Sequence, residues 1–196
     1  MLETVIKNIL QALYEPLGFS VLLAFLYMFF HDNAVKDGYI NAIKKAFFEL
    51  IHSRQRRYIF CFAFFTAMVL FRTLLNRNVF WLNPLGHVIG VWGFINQKGE
   101  FTTEIIENTI LFIPWILLLF VSYGSFILKA TNAFLEVACK SVAISFIFSF
   151  NIEMLQLFLR LGTWQLSDLF FNTLGGFIGG LIYWIGYKVK HRGSGV

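Results

Sequence analysis

An all-α, polytopic membrane helix bundle with about five transmembrane helices is the fold class this sequence predicts, and three observations predict it. Of its 196 residues, 58% are hydrophobic and 14% charged, against a charged share of about 25% in soluble domains. The apolar residues, 25 phenylalanines among them, gather into long runs. Five of those runs approach the roughly 20 residues that a helix needs to cross a hydrocarbon layer about 30 Å thick, where no water satisfies an open backbone. A soluble fold has no interior able to hide so much apolar surface. Length suits a single domain, 1–196, and no internal repeat or low-complexity tract divides it.

The first run, Pro16–Phe30, is short, and proline is tolerated in the first turn of a helix. It follows two acids, with no basic n-region and no small-residue cleavage site, so it reads as a retained helix and not a signal peptide. The stretch from Asp32 to Arg57 places Ala42, Ile43, Ala46, Phe47, Leu50 and Ile51 at amphipathic spacing around Lys44, Lys45 and Glu49, which predicts a helix lying on the inner leaflet. The second span is Tyr58–Leu75. From Phe80 to Glu107 come Trp81, Trp92, Phe94 and Phe101 with Pro84 and several glycines, an aromatic-rich segment suited to an interfacial or re-entrant element on the outer side. The third, fourth and fifth spans are Thr109–Leu128, Ser141–Leu159 and Leu169–Lys188.

Direction follows from lysine and arginine, which stay on the cytoplasmic side. Lys36, Lys44, Lys45, Arg54, Arg56 and Arg57 lie between spans one and two. Lys129 and Lys140 lie around the start of span four, and Lys188, Lys190 and Arg192 come after span five. These are 11 of the 16 basic residues; Lys7, Arg72, Arg77, Lys98 and Arg160 fall on the other side. The N-terminus is therefore expected outside and the C-terminus in the cytoplasm. Basic residues beside apolar runs, with no exposed aromatic stripe between them, also argue against a nucleic-acid partner and for membrane lipid. The two cysteines, Cys61 and Cys139, form no CxxC pair and have no histidine at metal-ligand spacing, so neither a disulfide nor a metal or other cofactor follows.

That topology has a chemical consequence. Arg72 and Asn76 fall at the outer end of span two, Glu107 and Asn108 at the outer start of span three, Asn151, Glu153, Gln156 and Arg160 on the outer half of span four, and Asp168 and Asn172 at the outer start of span five. An ionisable group in hydrocarbon costs about 2.5 to 3.5 kcal/mol on insertion scales, so such groups normally face a partner or a wet cavity. Glu153, Gln156 and Arg160 share a helix face, as do Asp168 and Asn172. Two readings stay open: ion pairs that fix helix register, or a ligand site in which Glu153 and Asp168 are candidate catalytic groups and Arg72, Asn108, Gln156, Arg160 and Asn172 bind the ligand. Behind them Gly175, Gly176, Gly179 and Gly180 repeat every four residues, which predicts close helix packing in lipid, expected to bring span five against span four.

The run Glu153-x-x-Gln156, then Asp168-x-x-x-Asn172-Thr173-x-Gly175-Gly176-x-x-Gly179, resembles the signature of VanZ-like proteins, a group named after an accessory product of glycopeptide-resistance clusters. Leu82-Asn83-Pro84-Leu85 is similar to that family's Asn-Pro loop, and Glu107-Asn108-Thr109-Ile110-Leu111-Phe112-Ile113-Pro114 to its Asn-led third-span opening, so the resemblance covers roughly 58–190. The linker Leu161–Ser167 departs from it: where the family often carries a further arginine, this chain has Gly162, Thr163, Trp164 and Gln165. The resemblance implies a multi-pass protein of the bacterial cytoplasmic membrane that protects the envelope against teicoplanin-like glycopeptides. Its implied partners are a lipid-linked cell-wall precursor or the antibiotic itself.

Three kinds of activity fit these residues. An enzyme would use Glu153 or Asp168 as general acid or base, with Arg72 and Arg160 on a phosphate or carboxylate of the substrate. Yet the four histidines, His31, His52, His87 and His191, make no HExxH, and no serine sits in a GxSxG. A binding protein would use the same pocket and the tryptophan-rich outer segment. A small transporter would need broken helices or inverted repeats, and only Pro114 interrupts a span.

Overall fold

The computed structural model describes residues 3, 6, 7, 14, 16–31, 38–75, 82–96, 99–129 and 133–191. Asn76, Arg77, Trp81 and Lys98, which the sequence placed on the outer side, and Lys36 and Arg192 on the inner, lie outside the described residues. Among the described residues there are six helices: α1 (Leu17–His31), α2 (Tyr39–His52), α3 (Arg54–Leu70), α4 (Glu104–Ile127), α5 (Phe134–Leu159) and α6 (Leu166–His191). One isolated antiparallel bridge pairs Ile95 with Phe101.

Four helices are long and apolar enough to cross a membrane: α3 with its continuation to Leu74, α4, α5 and α6, of 21, 24, 26 and 26 residues. At 1.5 Å per residue they extend roughly 31 to 39 Å, enough for a hydrocarbon core of about 30 Å. The expected first span is a helix of only 15 residues, or about 22 Å by the same rise. Its first turn is closed by the Ser20 amide on the Pro16 carbonyl at 2.8 Å, proline taking the helix-start position it suits.

α2 leaves Phe47, Phe48 and Ile51 exposed, and Lys44, three, four and seven residues before them, lies on the same face, so apolar and basic side chains share it. Phe25 of α1 stacks on Phe47, centroids 4.9 Å apart. Ser53, in extended conformation, ends α2 and begins α3, and its hydroxyl accepts from the Arg56 amide at 3.4 Å. Arg56 pairs with Glu49 at 3.0 Å across the corner. At the far end of α3, residues Phe71–Leu75 widen into a π-helical turn, a local change in backbone pitch that re-aims the side chains it carries.

α6 lies between α4 and α5, packing extensively on both while the backbones of those two stay apart. It runs parallel to α4: a Cβ on Gly175 would strike the Thr109 carbonyl oxygen, and one on Gly179 the Ile113 carbonyl oxygen. It runs antiparallel to α5, where Ser141, Ser145 and Ser149 are fully buried. Ser141 faces Gly180, Ser145 faces Gly176, and Ser149 accepts from Asn172 Nδ2 at 2.9 Å. The four glycines thus divide between two neighbours, Gly176 and Gly180 toward α5 and Gly175 and Gly179 toward α4. Lipid offers no hydrophobic drive between helices, so close backbone approach of this kind carries the association. The apolar core beside it contains Phe112, Trp115, Ile116, Phe120 and Ile152, with Trp115 stacked on Phe148 at 4.2 Å and donating to Thr66 Oγ1 at 2.9 Å.

Candidate functional site

The register between α5 and α6 sets Ser141 against Gly180, Ser145 against Gly176 and Ser149 against Asn172. One further step places Glu153 level with Asp168. At this level the small-residue seam gives way to a cavity of about 140 Å³ bounded by the π turn, α4, α5 and α6.

Each wall contributes polar groups. From the π turn come Arg72 and Thr73. The Arg72 guanidinium donates to Glu107 Oε2, and the other oxygen of Glu107 accepts from the Thr103 hydroxyl. The acids Glu104 and Glu107 stand in the first turn of α4, and Asp168 in that of α6, where unpaired amides favour negative charge. Asn108 Nδ2 donates to Asp168 Oδ1 at 2.8 Å, joining α4 to α6. On α5, Gln156 Nε2 reaches the Thr73 carbonyl at 2.8 Å. Glu153, 2% exposed, accepts the backbone amide of Gln165 at 2.9 Å.

Of the seven ligand or catalytic candidates in the sequence, Glu153, Asp168, Arg72, Asn108, Gln156 and Asn172 line this cavity. Arg160 is not among its lining residues. Its side chain is exposed, and its backbone takes a left-handed conformation, φ 54°, that ends α5 by hydrogen bonding to the Gln156 and Leu157 carbonyls. Asn151 also turns away, donating to the Ile147 carbonyl on the exposed face of α5.

Other groups had no assigned role in the sequence. The linker between α5 and α6 closes over Glu153, with Gln165 Nε2 donating to Thr163 Oγ1 at 2.7 Å. The Asn-Pro loop in turn holds the linker: the Trp164 amide donates to the Pro84 carbonyl at 3.0 Å, the Leu166 amide to Val88 at 2.9 Å, and the Val91 amide to Ser167 Oγ at 3.1 Å. Gly90, at φ 74°, lies so close to the Ser167 hydroxyl that no side chain would fit between them. Trp92 then covers the start of α6, its ring 5.3 Å from Phe170 and 5.8 Å from Phe171. The serine ladder carried a signal, three serines at four-residue intervals inside an apolar run. The linker carried none, since its contact with Glu153 is made by backbone.

The opposite end of the bundle differs in chemistry. A groove of about 530 Å³ there is lined by Tyr58, Tyr183, Tyr187, Lys190 and His191 among others, with no carboxylate among the described residues. Nor do the described residues contain a group of three or more His, Cys, Asp or Glu arranged to hold a metal ion. A family model described as VanZ/LLP1 matches residues 18–187. No match is found among curated proteins or solved structures.

Proposed function

The chain belongs to the VanZ/LLP1 family, and from that premise we propose that it serves the bacterial cell envelope by taking the headgroup of a lipid-linked envelope component into the polar cavity. Protection against teicoplanin-like glycopeptides is the outcome at the level of the cell. The observation that carries this reading is the convergence of Arg72, Asn108, Glu153, Gln156, Asp168 and Asn172, far apart in the chain, on one cavity at one end of the helices.

The positive-inside rule gives that end its side. Arg54, Arg56 and Arg57 start α3 and Lys188 and Lys190 end α6, at the end remote from the cavity. With α1 as a fifth crossing the N-terminus then lies outside, the C-terminus in the cytoplasm, and the cavity opens at the extracytoplasmic leaflet of the cytoplasmic membrane. Size bears on the ligand. A cavity of about 150 Å³ holds one benzene-sized molecule, so about 140 Å³ admits the tip of a headgroup and excludes a whole glycopeptide. The antibiotic is met indirectly, through the envelope component.

The test is to express Glu153→Gln and Asp168→Asn in a sensitive bacterium and measure teicoplanin protection. Each variant is expected to lose protection while reaching the membrane in normal amount and melting within a few degrees of the parent. Unchanged protection in both, at equal expression, would reduce these side chains to register-fixing partners. A membrane hydrolase or transferase is the second reading, favoured by the level placement of Glu153 and Asp168, a pair suited to general acid and base. Turnover of a lipid-linked precursor by the purified protein, lost in both variants, separates it from a binder; flux in vesicles would mark a transporter.

A further inference from the structure

The broad groove at the basic end of the bundle differs from the polar cavity in shape and in lining. Its floor is α4 and its sides are α3 and α6, whose backbones stay apart on either side of α4. The α6 side consists of two columns at four-residue spacing. Ile182, Gly186 and Lys190 form one, and Tyr183, Tyr187 and His191 the other. In the first column the middle member has no side chain, and a Cβ on Gly186 would meet nothing within 4 Å. The space is therefore open from Ile182 to Lys190, roughly 12 Å along the helix.

Chemistry changes along that length. Deep in the groove Leu117, Val121 and Ile182 present only hydrocarbon. Toward the helix ends stand Tyr58 of α3, Tyr187 and the Lys190 ammonium, the aromatic and basic groups suited to the headgroup layer. His191 Nδ1 donates to the Tyr187 carbonyl at 2.9 Å and its ring stacks on Tyr187 at 4.1 Å, which sets that phenol in place. Among the described residues the ammonium of Lys190 and the hydroxyls of Tyr58 and Tyr187 have no hydrogen-bond or ion-pair partner, and no carboxylate lines the groove. An apolar slot ending in an uncompensated cation and free phenols complements a molecule with hydrocarbon at one end and fixed negative charge at the other. A soluble anion would use only the rim, and a zwitterionic lipid would bring an ammonium that no lining carboxylate meets.

We propose that this groove holds an anionic phospholipid of the leaflet at this end, cytoplasmic in the orientation given above. Its phosphodiester sits on Lys190, Tyr58 and Tyr187, and the start of one acyl chain lies on Leu117, Val121 and Ile182. Basic pockets between membrane helices on the cytoplasmic side take anionic headgroups in this manner. The lipid bridges α3 and α6, which α4 keeps apart. The groove is separate from the polar cavity, so this inference does not depend on what that cavity binds.

The experiment titrates the full chain, purified in detergent, with phosphatidylglycerol and phosphatidylcholine of identical acyl chains, read by native mass spectrometry. Phosphatidylglycerol is expected to bind about fivefold more tightly, the effect of one lysine near an anionic headgroup. Lys190→Gln is expected to bring the two lipids near parity. Lys188→Gln removes an ammonium that lies over the Trp184 ring at 5.6 Å and does not line the groove, and is expected to keep the preference. Gly186→Leu fills the open middle of the groove and is expected to weaken phosphatidylglycerol binding several-fold. Equal binding of the two lipids by the parent overturns the proposal, and so does unchanged phosphatidylglycerol binding in Gly186→Leu. An equal loss in the two lysine variants would also overturn it, by marking diffuse attraction to the basic end. Displacement of the lipid by millimolar glycerol phosphate would do the same, since the hydrocarbon would then add nothing. A lipid-free dimer abolished by Gly186→Leu would assign the groove to a second copy of the chain instead. The parent comparison and the two exposed lysine variants decide even where Gly186→Leu does not fold.

Discussion

Arg160 shows how a charge can be displaced from chemistry to architecture. The sequence puts it one turn beyond Gln156 on the same face, yet helix α5 ends there, and the left-handed φ of 54° swings the side chain out of the cavity wall. A left-handed conformation costs a residue with a side chain about 1 to 2 kcal/mol, and glycine escapes most of that. Arg160→Gly relieves that backbone cost and gives up the interaction its side chain makes, so the melting temperature in detergent is expected to stay within a few degrees of the parent, with antibiotic protection retained. Loss of protection at an unchanged melting temperature would return Arg160 to the binding site. The contrast with Arg72 is instructive. Both arginines sit near helix ends in the sequence, and only the π turn, which no residue pattern announces, points Arg72 at Glu107.

At the scale of elements, glycine position decides which helix α6 can approach, and the two faces respond differently to a methyl group. Gly176→Ala meets the Ser145 side chain, whereas Gly175→Ala meets the Thr109 backbone carbonyl. Overpacking of this kind costs about 1 to 3 kcal/mol. Both variants are expected to lower the melting temperature, with Ser145→Gly restoring Gly176→Ala and no side-chain change at Thr109 restoring Gly175→Ala. Gly186→Ala, which meets nothing within 4 Å, serves as the neutral reference. An absence of rescue by Ser145→Gly would contradict the α5–α6 register. The apolar runs were legible because lipid forbids an unsatisfied backbone, but their ends were not. The fourth span was expected from Ser141, whereas α5 begins at Phe134: Glu136 pairs with Lys140 at 2.8 Å one turn apart, keeping the helix closed beyond its apolar part. The polar cluster was legible for the same reason as the spans, since charged groups at one depth must share a wet space. Its closure by the linker was not, because a peptide group has no letter in the sequence.

For the whole molecule, the proposed orientation makes both ends accessible to one measurement. In a background with Cys61 and Cys139 changed to serine, Leu82→Cys on the exposed Asn-Pro loop and His191→Cys at the end of α6 mark opposite ends of the bundle. A membrane-impermeant maleimide is expected to label Leu82→Cys in intact cells and His191→Cys only after lysis. The converse pattern would put the cavity in the cytoplasmic leaflet, with access to a different pool of lipid.

The hold on Glu153 has a consequence for how freely this chain can vary. Its partner in the linker is the main-chain N–H at position 165, a group common to nineteen of the twenty amino acids. That residue can be re-lettered widely while this bond to the carboxylate is kept, and proline alone, having no hydrogen to give, would remove it.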